Sequence, residues 1–121
     1  MISLDPDYAD AYEDKGNSLQ HLKKHREAIK CYNTAIALGS NSANLYFEKG
    51  NALSKLGKAE KAIECYDEAI SLNPEHTGAW RNKGGVLSDL GKHSRVIKCY
   101  DKALSIEPED SGLHFNKGAI L

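Results

Sequence analysis

Ala62-Ile63-Glu64-Cys65-Tyr66-Asp67-Glu68-Ala69-Ile70-Ser71-Leu72-Asn73-Pro74 returns in altered form on either side of itself. The run Ala28-Ile29-Lys30-Cys31-Tyr32-Asn33-Thr34-Ala35-Ile36 lies 34 residues earlier, and Val96-Ile97-Lys98-Cys99-Tyr100-Asp101-Lys102-Ala103-Leu104 lies 34 residues later. Within the quoted run Ala62, Ile63, Tyr66, Ala69 and Ile70 fall on one face of a helix. Pro74 ends it, because proline lacks the amide hydrogen and clashes with a continuing helix. The same interval relates Gly16, Gly50, Gly84 and Gly118, each preceded by lysine, and the aromatics Tyr12, Tyr46 and Trp80. A period of this length, sustained along 121 residues, is the signature of a stacked-repeat architecture.

The units run 9–42, 43–76 and 77–110. Residues 1–8 read as the end of a truncated preceding repeat, because Ile2-Ser3-Leu4-Asp5-Pro6 parallels Ile70-Ser71-Leu72-Asn73-Pro74. Residues 111–121 read as the first helix of a truncated fourth unit, so the sequence is expected to be a fragment of a longer repeat protein. Each unit is predicted to hold two helices, the first over 9–21, 43–56 and 77–90 and the second over 25–38, 59–72 and 93–106. Gly57 and Gly91 suit the left-handed residue just beyond a helix end. The expected fold class is all-α, a solenoid of helix hairpins with three full repeats and partial ends.

The order aromatic, glycine, leucine, alanine, Cys-Tyr, alanine, proline resembles the tetratricopeptide repeat. In the second unit these are Tyr46, Gly50, Leu53, Ala62, Tyr66, Ala69 and Pro74. The resemblance covers nearly the whole chain. It implies antiparallel helix pairs stacked into a right-handed superhelix with a concave groove, and it implies no reaction. Glycine and alanine at these places let helices approach closely, so that Gly50 is expected to face Ala62 and Ala69. One hairpin cannot cover its own apolar face, and stability then comes from stacking.

Composition narrows the function. Sixteen Lys and Arg against 17 Asp and Glu leave a net charge of −1, without the basic bias of a nucleic-acid binder. No apolar run is long enough for a membrane span, and the first residues form no secretory leader. Cys31, Cys65 and Cys99 occupy one equivalent slot on successive helices, too far apart for a shared metal or a disulfide. They read as packing residues in a reducing, cytoplasmic setting. His21 and His25 have helical i, i+4 spacing without an intervening carboxylate base, so neither metal nor cofactor is expected. No phosphate loop or nucleophile elbow is present. The chain is therefore read as non-catalytic.

By the resemblance, the first helix of each unit lines the groove. That face projects Asp10, Glu13, Asn17, Gln20 and His21 from unit one. Asn44, Phe47, Asn51, Ser54 and Lys55 follow from unit two, then Gly78, Arg81, Ser88 and Asp89 from unit three, with Phe115 beyond. Phe47 and Arg81 are the expected anchors, since aromatic and Arg side chains concentrate binding energy. The predicted function is a protein-protein interaction scaffold whose groove takes a segment of a protein or peptide partner. The alternatives are a repeat segment of a larger enzyme such as a transferase, or an engineered repeat module. Relatives that clamp acidic chaperone tails use two lysines, two asparagines and an arginine. Here those slots fall on Glu13, Gly78, Asn17, Glu48 and Asn82, and only Asn17 matches, which disfavours that ligand.

Departures from the pattern carry further expectations. Lys23 stands where Gly57 and Gly91 end their helices, so unit one could fuse into one long helix and exchange segments between chains. Gly39-Ser40-Asn41-Ser42 replaces the proline turn and suggests a looser link. Apolar residues near the ends, such as Leu113, Phe115 and Ile120, predict self-association through uncapped faces. Gly84-Gly85 within a helix, and Val96 in an alanine slot, should weaken unit three locally.

Overall fold

The computed structural model describes residues 6–106. Six helices fill that span: α1 (Pro6–His21), α2 (His25–Ala37), α3 (Ala43–Lys55), α4 (Ala59–Leu72), α5 (Thr77–Asp89) and α6 (His93–Ile106). No strand occurs among the described residues. Each helix lies within a few residues of its sequence-based position. The first begins at Pro6, a residue suited to a first helical turn because its missing amide hydrogen would have no partner there.

All three hairpins turn in the same way. Gly57 and Gly91 take φ of 77° and 75°, and Lys23 takes 61°. In each turn the amide two residues beyond the helix cap reaches back to a carbonyl of the last turn: Lys24 to Leu19 at 2.8 Å, Lys58 to Leu53 at 2.9 Å, Lys92 to Leu87 at 3.0 Å. The amide just before it closes a second bond, Lys23 to Gln20, Gly57 to Ser54 and Gly91 to Ser88. This paired geometry satisfies the carbonyls left open at a helix end. It holds Lys23 left-handed against a steric cost on the order of 1 kcal/mol. Unit one is thus a closed hairpin with α1 packed on α2, rather than one long helix.

The link after α2 is also tied. Gly39 takes φ of 103°, the Ser40 amide donates to the Ala35 carbonyl, and Ser42 caps α3 by accepting from the Leu45 amide at 3.1 Å. His76 plays the capping part for α5, its Nδ1 accepting from the Ala79 amide at 3.0 Å. A capping side chain is worth about 1 kcal/mol, which offsets the missing proline at this link.

The core is built from the recurring positions. Tyr32, Tyr66 and Tyr100 are buried, as are Ala28, Ala62 and Val96, and the free thiols Cys31, Cys65 and Cys99. Gly50 meets chiefly the Tyr66 ring: a Cβ there would lie 2.8 Å from Cε1 and 3.2 Å from the Ala62 carbonyl. The small residue thus makes room for the tyrosine of its own hairpin as much as for the alanines. Neighbouring units are joined by α2 against α3 and α4 against α5. Lys83 adds an ion pair to Asp67 at 2.6 Å while lying over the Trp80 ring. The first helices touch in sequence, α1 with α3 and α3 with α5, whereas successive second helices make little or no such contact. That inequality bends the stack toward the α1–α3–α5 side and makes it the concave one.

Candidate functional site

The concave side is polar because α1, α3 and α5 spend their apolar residues on their hairpin partners. Its midline is an internal network. The Tyr32 hydroxyl donates to Asn17 Oδ1 at 2.6 Å, and one repeat later Tyr66 donates to Asn51 Oδ1 at the same distance. Asn82 Nδ2 also donates to Asn51 Oδ1, at 2.8 Å, and Asn51 Nδ2 donates to Glu48 at 3.0 Å. Gln20 donates to the Glu48 carbonyl and accepts from His25 Nδ1. Burial raises the Tyr32 and Tyr66 hydroxyls well above the usual tyrosine range. These phenols are therefore neutral donors across the neutral pH range.

The sequence-predicted groove residues divide by location. Asn51, Lys55, Arg81 and Asp89 line one cavity of about 620 Å³ between α3 and α5, where Asn82, Gly85 and Tyr100 join them. Asp10 faces a separate cavity beside the Gly39–Ser42 link. Glu13 accepts from the Ser42 hydroxyl at 3.4 Å. Burial pushes the Glu13 carboxyl up, countered by that bond and reinforced by Asp10, Asp14 and Glu48. Asn17 and Gln20 are held in the network above. Asn44 is exposed and Ser88 half-buried, and neither lines the α3–α5 cavity. Phe47 packs against His76, 4.7 Å between ring centroids, and Tyr66 at 6.1 Å, so it serves the junction between units. Phe115 lies outside the described residues.

Glu48, Asn82, Gly85 and Tyr100 were not placed in the predicted groove set. One of them carries a legible signal: Gly85 lies one period beyond Asn51 and two beyond Asn17, so the series reads Asn, Asn, Gly. A second cavity, about 570 Å³, opens between α2, α3 and α4 and is lined by Arg26, Lys30, Lys49, Lys58 and Lys61 among others. Among the described residues no cluster of three or more His, Cys, Asp or Glu could hold a metal ion. His21 and His25 sit on either side of the α1–α2 turn. Burial raises the Cys65 and Cys99 thiols, which suits packing rather than nucleophilic use. No described helix is long and apolar enough to cross a membrane.

Comparison with known proteins agrees with this geometry. Family models described as tetratricopeptide repeat match residues 43–76 and 77–110, and one described as TPR repeat matches 16–57. No curated protein matches the sequence. Among solved structures, the first TPR of Spaghetti (RPAP3) bound to the HSP90 peptide SRMEEVD superposes with a TM-score of 0.91 at 26% identity, over 99% of this chain and 95% of that one. The second TPR domain of human RPAP3, in complex with the HSP70 peptide SGPTIEEVD, gives 0.88 at 27% identity over 95% and 97%. The Arabidopsis OM64 TPR domain gives 0.91 at 19% identity, over 95% of each chain, and shows the fold alone.

Proposed function

Because this chain belongs to the tetratricopeptide repeat family, we propose that it is a non-catalytic interaction scaffold that binds a segment of a partner protein along its concave side. The observation carrying this reading is the α3–α5 cavity, where Asn51, Asn82, Lys55, Arg81 and Asp89 converge on the side lined by first helices. Amides offer both donors and acceptors to a peptide backbone, and the charges at the rim set register. Two domains of the same fold hold chaperone peptides.

The ligand differs from those acidic tails. Glu13 and Glu48 stand where a carboxylate-binding groove needs cations or amides, and Asp10 and Asp14 add charge of the same sign around Glu13. The buried free thiols favour a reducing compartment, the cytoplasm. The exposed Tyr8 and Tyr12 of α1, the helix at one end of the described stack, support self-association there. Light scattering that finds only monomer over a wide concentration range would contradict that part.

Panning the immobilised chain against a random peptide library tests the main reading. Selected peptides should lose about tenfold in affinity on Arg81→Ala, and SRMEEVD should bind weakly or not at all. Equal capture by the wild type and Arg81→Ala would overturn the groove assignment.

A further inference from the structure

The hydroxyl–carboxamide pair of the first two repeats is broken in the third. Tyr32 and Tyr66 each donate to an asparagine of the helix before them, at 2.6 Å in both cases. The residue one period beyond Asn17 and Asn51 is Gly85. Tyr100, equivalent to those tyrosines, is only 5% exposed, and its hydroxyl has no hydrogen-bond partner among the described residues. It borders the α3–α5 cavity together with Gly85 and Asn82. A Cβ built on Gly85 meets nothing within 4 Å among the described residues, which leave open the space an asparagine side chain would fill.

The Tyr100 oxygen is reached from the cavity rather than sealed in the core, so an acceptor that enters the cavity can take the hydrogen bond that water otherwise takes. The two nearby charges, Arg81 and Asp89, act on the phenol in opposite directions. With charges of both signs beside the phenol, a neutral acceptor of the kind that Asn17 and Asn51 supply in the first two repeats suits the slot.

We propose that this gap is a specificity subsite for the side-chain carboxamide of an asparagine or glutamine of the bound partner, whose oxygen accepts from the Tyr100 hydroxyl as Asn51 Oδ1 does from Tyr66. The ligand completes the ladder that the described residues leave open. This inference rests on the groove reading and adds the chemistry that the groove selects.

Acetamide, the isolated side-chain group, is the direct probe, titrated into the full chain and followed by NMR at the Gly85 amide and the Tyr100 ring. Saturable shifts at both are expected. They should weaken at least fivefold in Tyr100→Phe and vanish in Gly85→Asn, which supplies the missing group from the chain itself. Acetate should bind at least fivefold more weakly. No saturable shift, an undiminished response in either variant, or acetate binding as tightly as acetamide would each overturn the subsite. The library separates the two readings: peptides that bind with Asn or Gln enriched at one position, an enrichment lost on Gly85→Asn, support both. Peptides that bind without that enrichment refute the subsite and leave the groove standing. Acetamide binding with no peptide captured refutes the groove and leaves the subsite.

Discussion

The second and third repeats share a backbone and differ in how tightly it is filled. In the second, Gly50 lies against the Tyr66 ring, and Asn51 takes both the Tyr66 hydroxyl and the Asn82 amide. In the third, a Cβ on Gly84 would stand 3.3 Å from the Tyr100 ring and the Cys99 Cβ, and Gly85 leaves the hydroxyl without its asparagine. In the second repeat the tyrosine has its acceptor, while among the described residues the Tyr100 hydroxyl of the third has none on the concave side. A repeat array can thus place its binding capacity by omitting one residue from an otherwise repeated network.

The largest difference between the repeats should come from the ladder residue. Asn51→Ala leaves the Tyr66 hydroxyl and the Asn82 amide without their shared acceptor, a loss of about 2–3 kcal/mol in urea or thermal unfolding. Gly85→Ala, at the equivalent place, should instead gain up to about 1 kcal/mol from helix propensity, since the new methyl enters open space. Next come the neighbouring glycines. Gly50→Ala forces the Tyr66 ring to move and should cost about 1–2 kcal/mol, whereas Gly84→Ala, with looser contacts, should come out near zero.

Removing the hydroxyls gives a smaller contrast. Tyr66→Phe should cost about 1 kcal/mol and Tyr100→Phe almost nothing, because only the first breaks a bond. The same pair separates at alkaline pH. Both phenols are raised above their unfolded value, so the stability linked to their protonated forms is complete below about pH 10 and is lost as pH rises beyond it. Tyr66→Phe should flatten the alkaline fall in stability more than Tyr100→Phe, and equal slopes would erase the distinction drawn here. The smallest effect concerns a turn: Lys23→Gly should gain about 0.5–1 kcal/mol by relieving the left-handed lysine, bringing the first hairpin into line with the other two.

Much of the fold was legible because the same packing problem is solved again every 34 residues. Glycine, alanine and Cys-Tyr recur wherever a hairpin closes, and the glycines at 57 and 91 mark the turns. Lys23 misled in one respect: a lysine gives no sign of positive φ, yet the two hydrogen bonds of the turn are enough to hold it there. The caps at Ser42 and His76 were equally hidden, since a histidine acts as a cap only once its ring is aimed at the helix end.

The site was harder to read. Projecting one helix face identifies residues that point the right way and says nothing about which are already bonded. Asn17 and Asn51 are engaged by buried tyrosines from the second helices, and Phe47 is drawn into the junction with His76. The informative position was Gly85, where a glycine inside a helix looked like a local weakness. Its meaning depends on a tyrosine fifteen residues later, a pairing the first two repeats display in space.

Backbone amide shifts of the labelled chain on adding a library-selected peptide test the central claim most directly. Perturbations concentrated at Asn51, Arg81, Asn82 and Gly85 on the concave side, with Lys30, Lys58 and Lys61 unmoved, are the predicted result. Shifts confined to those lysines would contradict the account.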